Sequence, residues 1–139
     1  SPLAKIKMDI HDIPFEENSF DFVLCNHVLE HVADDQKAMQ EIRRVLKQEG
    51  VAILQVPFFH PIPDNTLEDP SITDPHEREV TFGQSDHVRR YGYDFPERIR
   101  QAGLKPVESE FVNTLSEATI IRNGLAKGEI LYGGRKQVG

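Results

Sequence analysis

The 139-residue sequence has a single cysteine, Cys25, so no internal disulfide can form, as is usual in a reducing compartment. No apolar run approaches the ~20 residues that a membrane-spanning helix needs. The opening residues, SPLAKIKMD, lack the apolar core and cleavage pattern of an export signal. A cytoplasmic location with no membrane partner is therefore expected. Positive charge is also scarce: 16 Lys and Arg against 23 Asp and Glu give a formal charge of −7. Arg89-Arg90 and Arg135-Lys136 are short basic pairs, whereas a phosphate backbone needs a basic stripe to release its counterions. Nucleic acid is thus not an expected partner, and a small-molecule or protein substrate is favoured. Internal repeats and low-complexity tracts are missing. So is any G-x-G-x-G; the nearest pair, Gly133-Gly134, lies close to the C-terminus.

What is present fits one soluble domain, with 38% apolar and 28% charged residues. Leu3 to Met8 alternates apolar and basic residues before Asp9 and reads as a short strand. Pro14 and Asn18-Ser19 punctuate a loop, and Phe20–Cys25 is a nearly unbroken apolar run, as in a strand buried on both faces. Ala38, Met39, Ile42, Val45 and Leu46 fall at helical spacing, which predicts a helix over about 35–47. Asp34 or Asp35 is placed to cap it, and Gly50 to end it in the left-handed conformation. Val51–Val56 reads as a second buried strand. Five prolines between Pro57 and Pro75 argue against regular structure before about Glu77. The stretch 57–94 therefore reads as a long insertion, of the kind that often forms a binding element or lid. Beyond it, a helix over 96–102, a strand over 105–112, a helix over 115–123 and a strand over 129–135 are expected.

The segment PFEENSFDFVLCNHVLEHVADDQKAMQEIRRVLKQEGVAILQV, from Pro14 to Val56, is therefore a β-α-β unit. It resembles the second half of the class I S-adenosylmethionine-dependent methyltransferases (methyltransferase type 11-like), whose pattern is D-x-x-x-LPF-x-D-x-SFD-x-V…VLEH…E-x-x-RVLKPGG-x-L. The resemblance implies an α/β fold: an incomplete Rossmann-like methyltransferase fold, its sheet mostly parallel with an antiparallel C-terminal strand and helices on both faces. It covers about residues 4–56 and 82–136 and implies that 1–139 is a partial methyltransferase domain, the C-terminal two-thirds, with the glycine-rich cofactor loop lying before residue 1. In that sheet order Leu3–Met8 would be the third strand and Phe20–Cys25 the fourth, with the first strand missing from between them. Phe20–Cys25 then exposes an apolar edge that invites pairing. Homodimerisation, strand exchange or capture of Leu3–Met8 into the vacancy is expected.

The same resemblance implies S-adenosyl-L-methionine as cofactor and assigns residues to it. Asp9 would accept a hydrogen bond from the adenine amine while the Ile10 N–H reaches the ring; a solvated loop Asp is the alternative. Cys25, Asn26 and His27, at the carboxyl end of a strand, would lie against the methionine portion. Cys25 by itself reads as a small apolar packer, and Asp21 and His31 as structural residues. The run Phe82–Gly92, FGQSDHVRRYG, resembles a G-x-x-DHVR-x-YG-x-D segment of some of these enzymes. It offers His87 as a base or acceptor contact, and Arg89 and Tyr91 as substrate-binding residues. The alternative for this run is a self-satisfied polar network that fastens the insertion to the sheet. His60, His76 and His87, with Asp64, Asp69, Asp74 and Asp86, match no metal-ligand spacing, so no metal is expected, and a metal-dependent hydrolase is a remote reading.

Methyl transfer to an unidentified small-molecule or protein acceptor is the expected function, with the chain alone expected to be inactive. A non-catalytic remnant or dimerisation module using the strand edge is the alternative.

Overall fold

The computed structural model describes residues 2–109, 116–118 and 131–137. Along the chain run β1 (Phe20–Asn26), α1 (Asp35–Val45), β2 (Leu46–Gln55), β3 (Leu67–Glu68), α2 (Pro75–Phe82), β4 (Arg89–Arg90), α3 (Phe95–Gln101), β5 (Lys105–Ser109) and β6 (Leu131–Arg135). The main sheet has the order β1-β2-β6-β5, and β3 and β4 form a separate two-stranded ribbon. β1 and β2 pair in parallel, and β6 runs antiparallel to both β2 and β5. Three strands therefore point one way and the last described strand points back between two of them. This is the mixed, mostly parallel sheet that the resemblance implies.

α1 forms where its stripe and cap place it. The Asp34 carboxylate accepts the Lys37 N–H at 2.9 Å, and Ala38, Met39, Ile42 and Val45 are buried along one face. Its final carbonyls are met from outside the helix: Asn18 N–H donates to Arg44 O at 3.0 Å and Ser19 N–H to Val45 O at 2.8 Å. Lys136 adds Nζ to Leu46 O at 2.8 Å and to Asn18 Oδ1 at 2.9 Å, joining the last strand to the end of the first helix. On the other side of α1, buried Glu41 accepts Ile13 N–H at 3.0 Å, and Arg44 donates to Ile13 O and Phe15 O, both at 2.7 Å. The loop before β1 is thereby held against the helix.

The helix ends differently from expectation. It stops at Leu46, which is already extended, and Glu49, not Gly50, takes the left-handed conformation with φ 63°. Gly50 is required for another reason. A Cβ there would lie 2.8 Å from Lys47 O and 3.1 Å from Asp21 O, so only glycine lets β2 close on β1 after the irregular stretch 47–50.

Val23 and Cys25 pair with Ala52 and Leu54, and these side chains share a core with α1 and with Phe95, Ile99 and Leu104 of the α3 region. α1 and α3 touch each other and so cover one face of the sheet. Gly134 of β6 lies beneath α3, where a Cβ would come 2.8 Å from Leu104 Cβ. Phe22 and Leu24 point to the opposite face and are 54% and 63% exposed. The expected burial of β1 on both faces is thus met on one face only among the described residues. The helix expected over 115–123 falls almost wholly outside the described residues, as do the end of the strand expected over 105–112 and the turn at Lys127-Gly128.

Leu3–Met8 is not a strand. It is an exposed, irregular segment, with Leu3 88% exposed, and it does not fill the vacancy beside β1. Apolar alternation creates no strand without a neighbour to pair with, and among the described residues Leu3–Met8 pairs with none. Nor is the proline-rich insertion without regular structure before Glu77, since Leu67–Glu68 pairs with Arg89–Arg90 and α2 begins at Pro75 behind an Asp74 cap.

Candidate functional site

The carboxyl ends of β1 and β2 lie side by side, Asn26 opposite Gln55, and the chain turns sharply just beyond. His27 takes φ 52° and its N–H donates to Gln55 O at 2.9 Å. Asn26 and His27 are exposed at this end, whereas the Cys25 side chain points into the core. Burial raises the Cys25 thiol to about 12, with the Glu30 carboxylate adding to the effect. That thiol is inert as a nucleophile at neutral pH, and only the Cys25 backbone can face the crevice.

Asp9 sits on the loop leading to β1, its side chain 68% exposed. Its Oδ1 accepts the His11 N–H at 2.9 Å and His11 Nδ1 at 2.7 Å, and these two bonds lower its pKa. His11 Nε2 in turn accepts the Asp34 N–H at 3.2 Å. One imidazole therefore links Asp9 to the start of α1, and the carboxylate is held ionised and oriented. Ile10 is half-buried next to it and packs on the core.

The run 82–92 crosses behind the loop 27–35 and is fastened to it. Arg89, almost fully buried, donates through Nη1 to Leu29 O and to Val32 O at 2.6 Å, through Nη2 to Ala33 O at 3.1 Å, and through Nε to Glu68 Oε2 at 3.2 Å. The buried Tyr91 hydroxyl donates to Asp35 Oδ2 at 2.8 Å, and burial raises its pKa well above 10.0. Arg98 grips the same Asp35 with Nη2 to Oδ1 at 2.7 Å and Nε to Oδ2 at 3.1 Å, and reaches Glu68 Oε2 at 3.0 Å. Farther along, Asp94 Oδ1 accepts from Thr66 N–H and Oγ1, which ties the start of the insertion to its end. Asp35, read from the sequence as a helix cap, is thus the hub of a buried ionic network. The clue was the Asp34-Asp35 doublet, of which a cap needs only one.

Beside this network stands a second group: Glu30, His27, His31, His87 and Asp86. Glu30 Oε1 lies 3.4 Å from His27 Nδ1 and 3.6 Å from His31 Nε2. The His31 and His87 rings meet edge to face at 4.7 Å, and the Val88 N–H donates to Glu30 O at 2.9 Å. His87 is 2% exposed, and desolvation lowers its pKa, helped by neighbouring His31, so the ring is neutral at ordinary pH.

Of the sequence candidates, His27 and His87 both approach Glu30, and Asn26 is the exposed last residue of β1. Arg89 and Tyr91 lie beneath them in the ionic network, and Asp9 and Ile10 lie on the preceding loop. Glu30, the buried centre of the second group, was not singled out as a site residue, though it is the middle residue of the LEH match.

The family profile described as "Methyltransferase domain" matches residues 2–54, which carry β1, α1 and most of β2. Uncharacterized methyltransferase YcgJ of Bacillus subtilis (strain 168) is 35% identical over 80 residues, 52% of this chain and 30% of the relative. Among solved structures, that of a Haloferax volcanii protein described as a methyltransferase, in complex with the Trm112 methyltransferase activator, has TM-score 0.62 at 19% identity. It covers 94% of this chain and 60% of that one. Residues 2–54 are thus similar to a methyltransferase domain, and the fold is similar to those of solved methyltransferases. The methyltransferase-like fold extends past the profile match. The Burkholderia thailandensis 1,6-didemethyltoxoflavin-N1-methyltransferase, solved with 1,6-didemethyltoxoflavin and S-adenosylhomocysteine bound, has TM-score 0.60 at 18% identity over 96% of this chain and 50% of that one. At such identities the likeness is one of fold. The matched segments span 23–30% of the length of the first curated relatives.

Proposed function

We propose that this domain contributes to S-adenosylmethionine-dependent methyl transfer, supplying the adenine side of the cofactor site and part of the acceptor side. The observation that supports this best is the placement of Asp9: an ionised, oriented carboxylate on the loop that leads into the matched strand. An acceptor-only group held this way suits the exocyclic amine of adenine, and the adjoining Ile10 offers an apolar wall. Asn26 and His27 would flank the methionine portion, together with the Cys25 backbone. On the acceptor side stand His87 and, as supports beneath it, Arg89 and Tyr91. When bound, the cofactor supplies a methyl group on a sulfonium that is its own leaving group. The protein's part is to align the acceptor and keep water out.

The test is calorimetric titration of S-adenosylhomocysteine into the intact protein and its Asp9→Ala variant. Loss of one hydrogen bond to a buried ligand group should weaken binding about tenfold. Equal affinity would remove Asp9 from the adenine site.

A second reading, a partner-binding or dimerisation module, is favoured by one observation. Among the described residues β1 is the end strand of the sheet, and Phe22 and Leu24 are exposed on it. A bare apolar strand edge pairs readily with another chain. Light scattering across a concentration series would test it: a dimer that Leu24→Lys dissociates supports the reading, and a monomer at all concentrations removes self-association.

A further inference from the structure

Three buried or half-buried side chains at the β1 end bring polar atoms together, and two of these buried atoms have no hydrogen-bond partner. Glu30 is 1% exposed and its Oε2 has no hydrogen-bond partner. His87 is 2% exposed and its Nδ1 likewise has none. In the tautomer with its proton on Nε2, this unpartnered Nδ1 presents a lone pair. His31 Nδ1 lies 3.2 Å from Asp86 O, and a carbonyl can only accept, so the His31 proton sits on Nδ1 and Nε2 faces Glu30 with its lone pair. One ligand atom from each of the three residues can be chosen so that all lie within 4.8 Å of one another.

Orphaned buried acceptors are costly, each by as much as a lost hydrogen bond or more. A second proton on His31 would give Glu30 a donor but would leave the His87 lone pair alone. A cation at the centre satisfies all three at once. The outer contacts also fit. A metal-bound imidazole typically donates its other N–H to a backbone carbonyl or carboxylate, and His31 does this here, with Asp86 O at 3.2 Å and the Asp86 carboxylate at 3.4 Å.

We propose that Glu30, His31 and His87 bind a first-row divalent metal ion of the zinc and cobalt type. Two imidazoles and one carboxylate are a borderline donor set that suits these ions and does not suit magnesium or calcium. Tetrahedral ligands on zinc stand about 3.4 Å apart, from bond lengths of about 2.0–2.1 Å, so the site closes by roughly 1 Å on binding. The partly exposed His31 ring is the part free to move. His27, whose Nδ1 already contacts Glu30, stands on the exposed side as a fourth ligand or as the wall of an open position. Sequence spacing could not show the site, because Glu30 and His31 are adjacent on a loop and His87 arrives from the far end of the insertion. The inference does not depend on the methyl-transfer reading.

The test is titration of chelator-treated, dialysed protein with cobalt(II) chloride, followed by visible d–d absorption, with zinc chloride as competitor. One equivalent should bind and be displaced by zinc. Since losing an outer-sphere partner alone costs about 10–100-fold in affinity, Glu30→Gln and His31→Ala should each cost more than about a hundredfold. His76→Ala, which removes an exposed histidine of α2, should cost nothing. Circular dichroism of each variant separates loss of ligand from loss of fold, and His31→Ala, at a partly exposed position, guards against misfolding of the buried variants. No saturable cobalt binding overturns the proposal. So does binding that survives both Glu30→Gln and His31→Ala.

Discussion

Two buried polar groups share the joint between the loop 27–35 and the run 82–98, and they are built on opposite principles. Around Asp35 every charge is matched: two arginines, a tyrosine hydroxyl and Glu68 converge, and Arg89 spends its remaining donors on backbone carbonyls. Around Glu30 two buried atoms, its own Oε2 and His87 Nδ1, are left alone. The matched network fixes the backbone on both sides of the unmatched one, since Arg89 clasps Leu29 O and the Val88 N–H holds Glu30 O. A chain that can satisfy one group fully and leaves its neighbour short is holding the second in readiness for something from outside.

The comparison is most easily broken at Asp35. Replacing it with Ala leaves Arg98 and Arg89 with only the half-exposed Glu68 between them and should cost about 3–5 kcal/mol, measured by urea unfolding of the metal-free protein. A loss below about 1 kcal/mol would mean the network fastens nothing.

Glu41 sharpens the same point on the other side of α1. Glu41→Gln keeps the shape but weakens the bonds to Arg44 and Ile13, at a cost of about 1–3 kcal/mol. The hydrogen bond from Arg44 is the main cause that holds the folded-state pKa of Glu41 below the ordinary 4.5. Its stabilisation is therefore complete above that value and is lost as pH falls through the lower folded-state value, because the unfolded chain binds the proton first. The gap between wild type and Glu41→Gln should be constant near neutrality and shrink below pH 4.5. A gap that does not narrow on acidification would contradict this. The smallest effect is expected at the unmatched group. His87→Leu removes an orphaned acceptor and should change metal-free stability by about 1 kcal/mol or less, although His87 is as buried as Asp35.

Local signals carried far in some places and failed in others. Phe20–Cys25 and the α1 stripe were legible because burial and capping act over a few residues. The strand character assigned to Leu3–Met8 failed because a strand is a relation between two segments, and alternation states only half of it. The left-handed residue was assigned to Gly50 because glycine adopts it most cheaply, yet Glu49 takes it and Gly50 serves close contact with Asp21 and Lys47. Pairings such as Leu67 with Arg90 and the convergence of Glu30 with His87 have no periodicity to read. In the LEH match and the DHVR run the residues of the candidate site were visible. That the two runs touch was not.

The position of β6 bears on how the molecule is made. It is the last described strand in the sequence and yet lies inside the sheet, between β2 and β5. Among the described strands, β2 and β5 do not pair with each other, and the β1-α1-β2 unit precedes the strand that joins them. Only when Leu131–Arg135 arrives are the halves joined, and Lys136 then closes on Leu46 O at the end of α1. The final strand is a keystone. A ribosome that stalls just short of it should release a chain with the described helices made and the sheet split into β1-β2 and an unpaired β5.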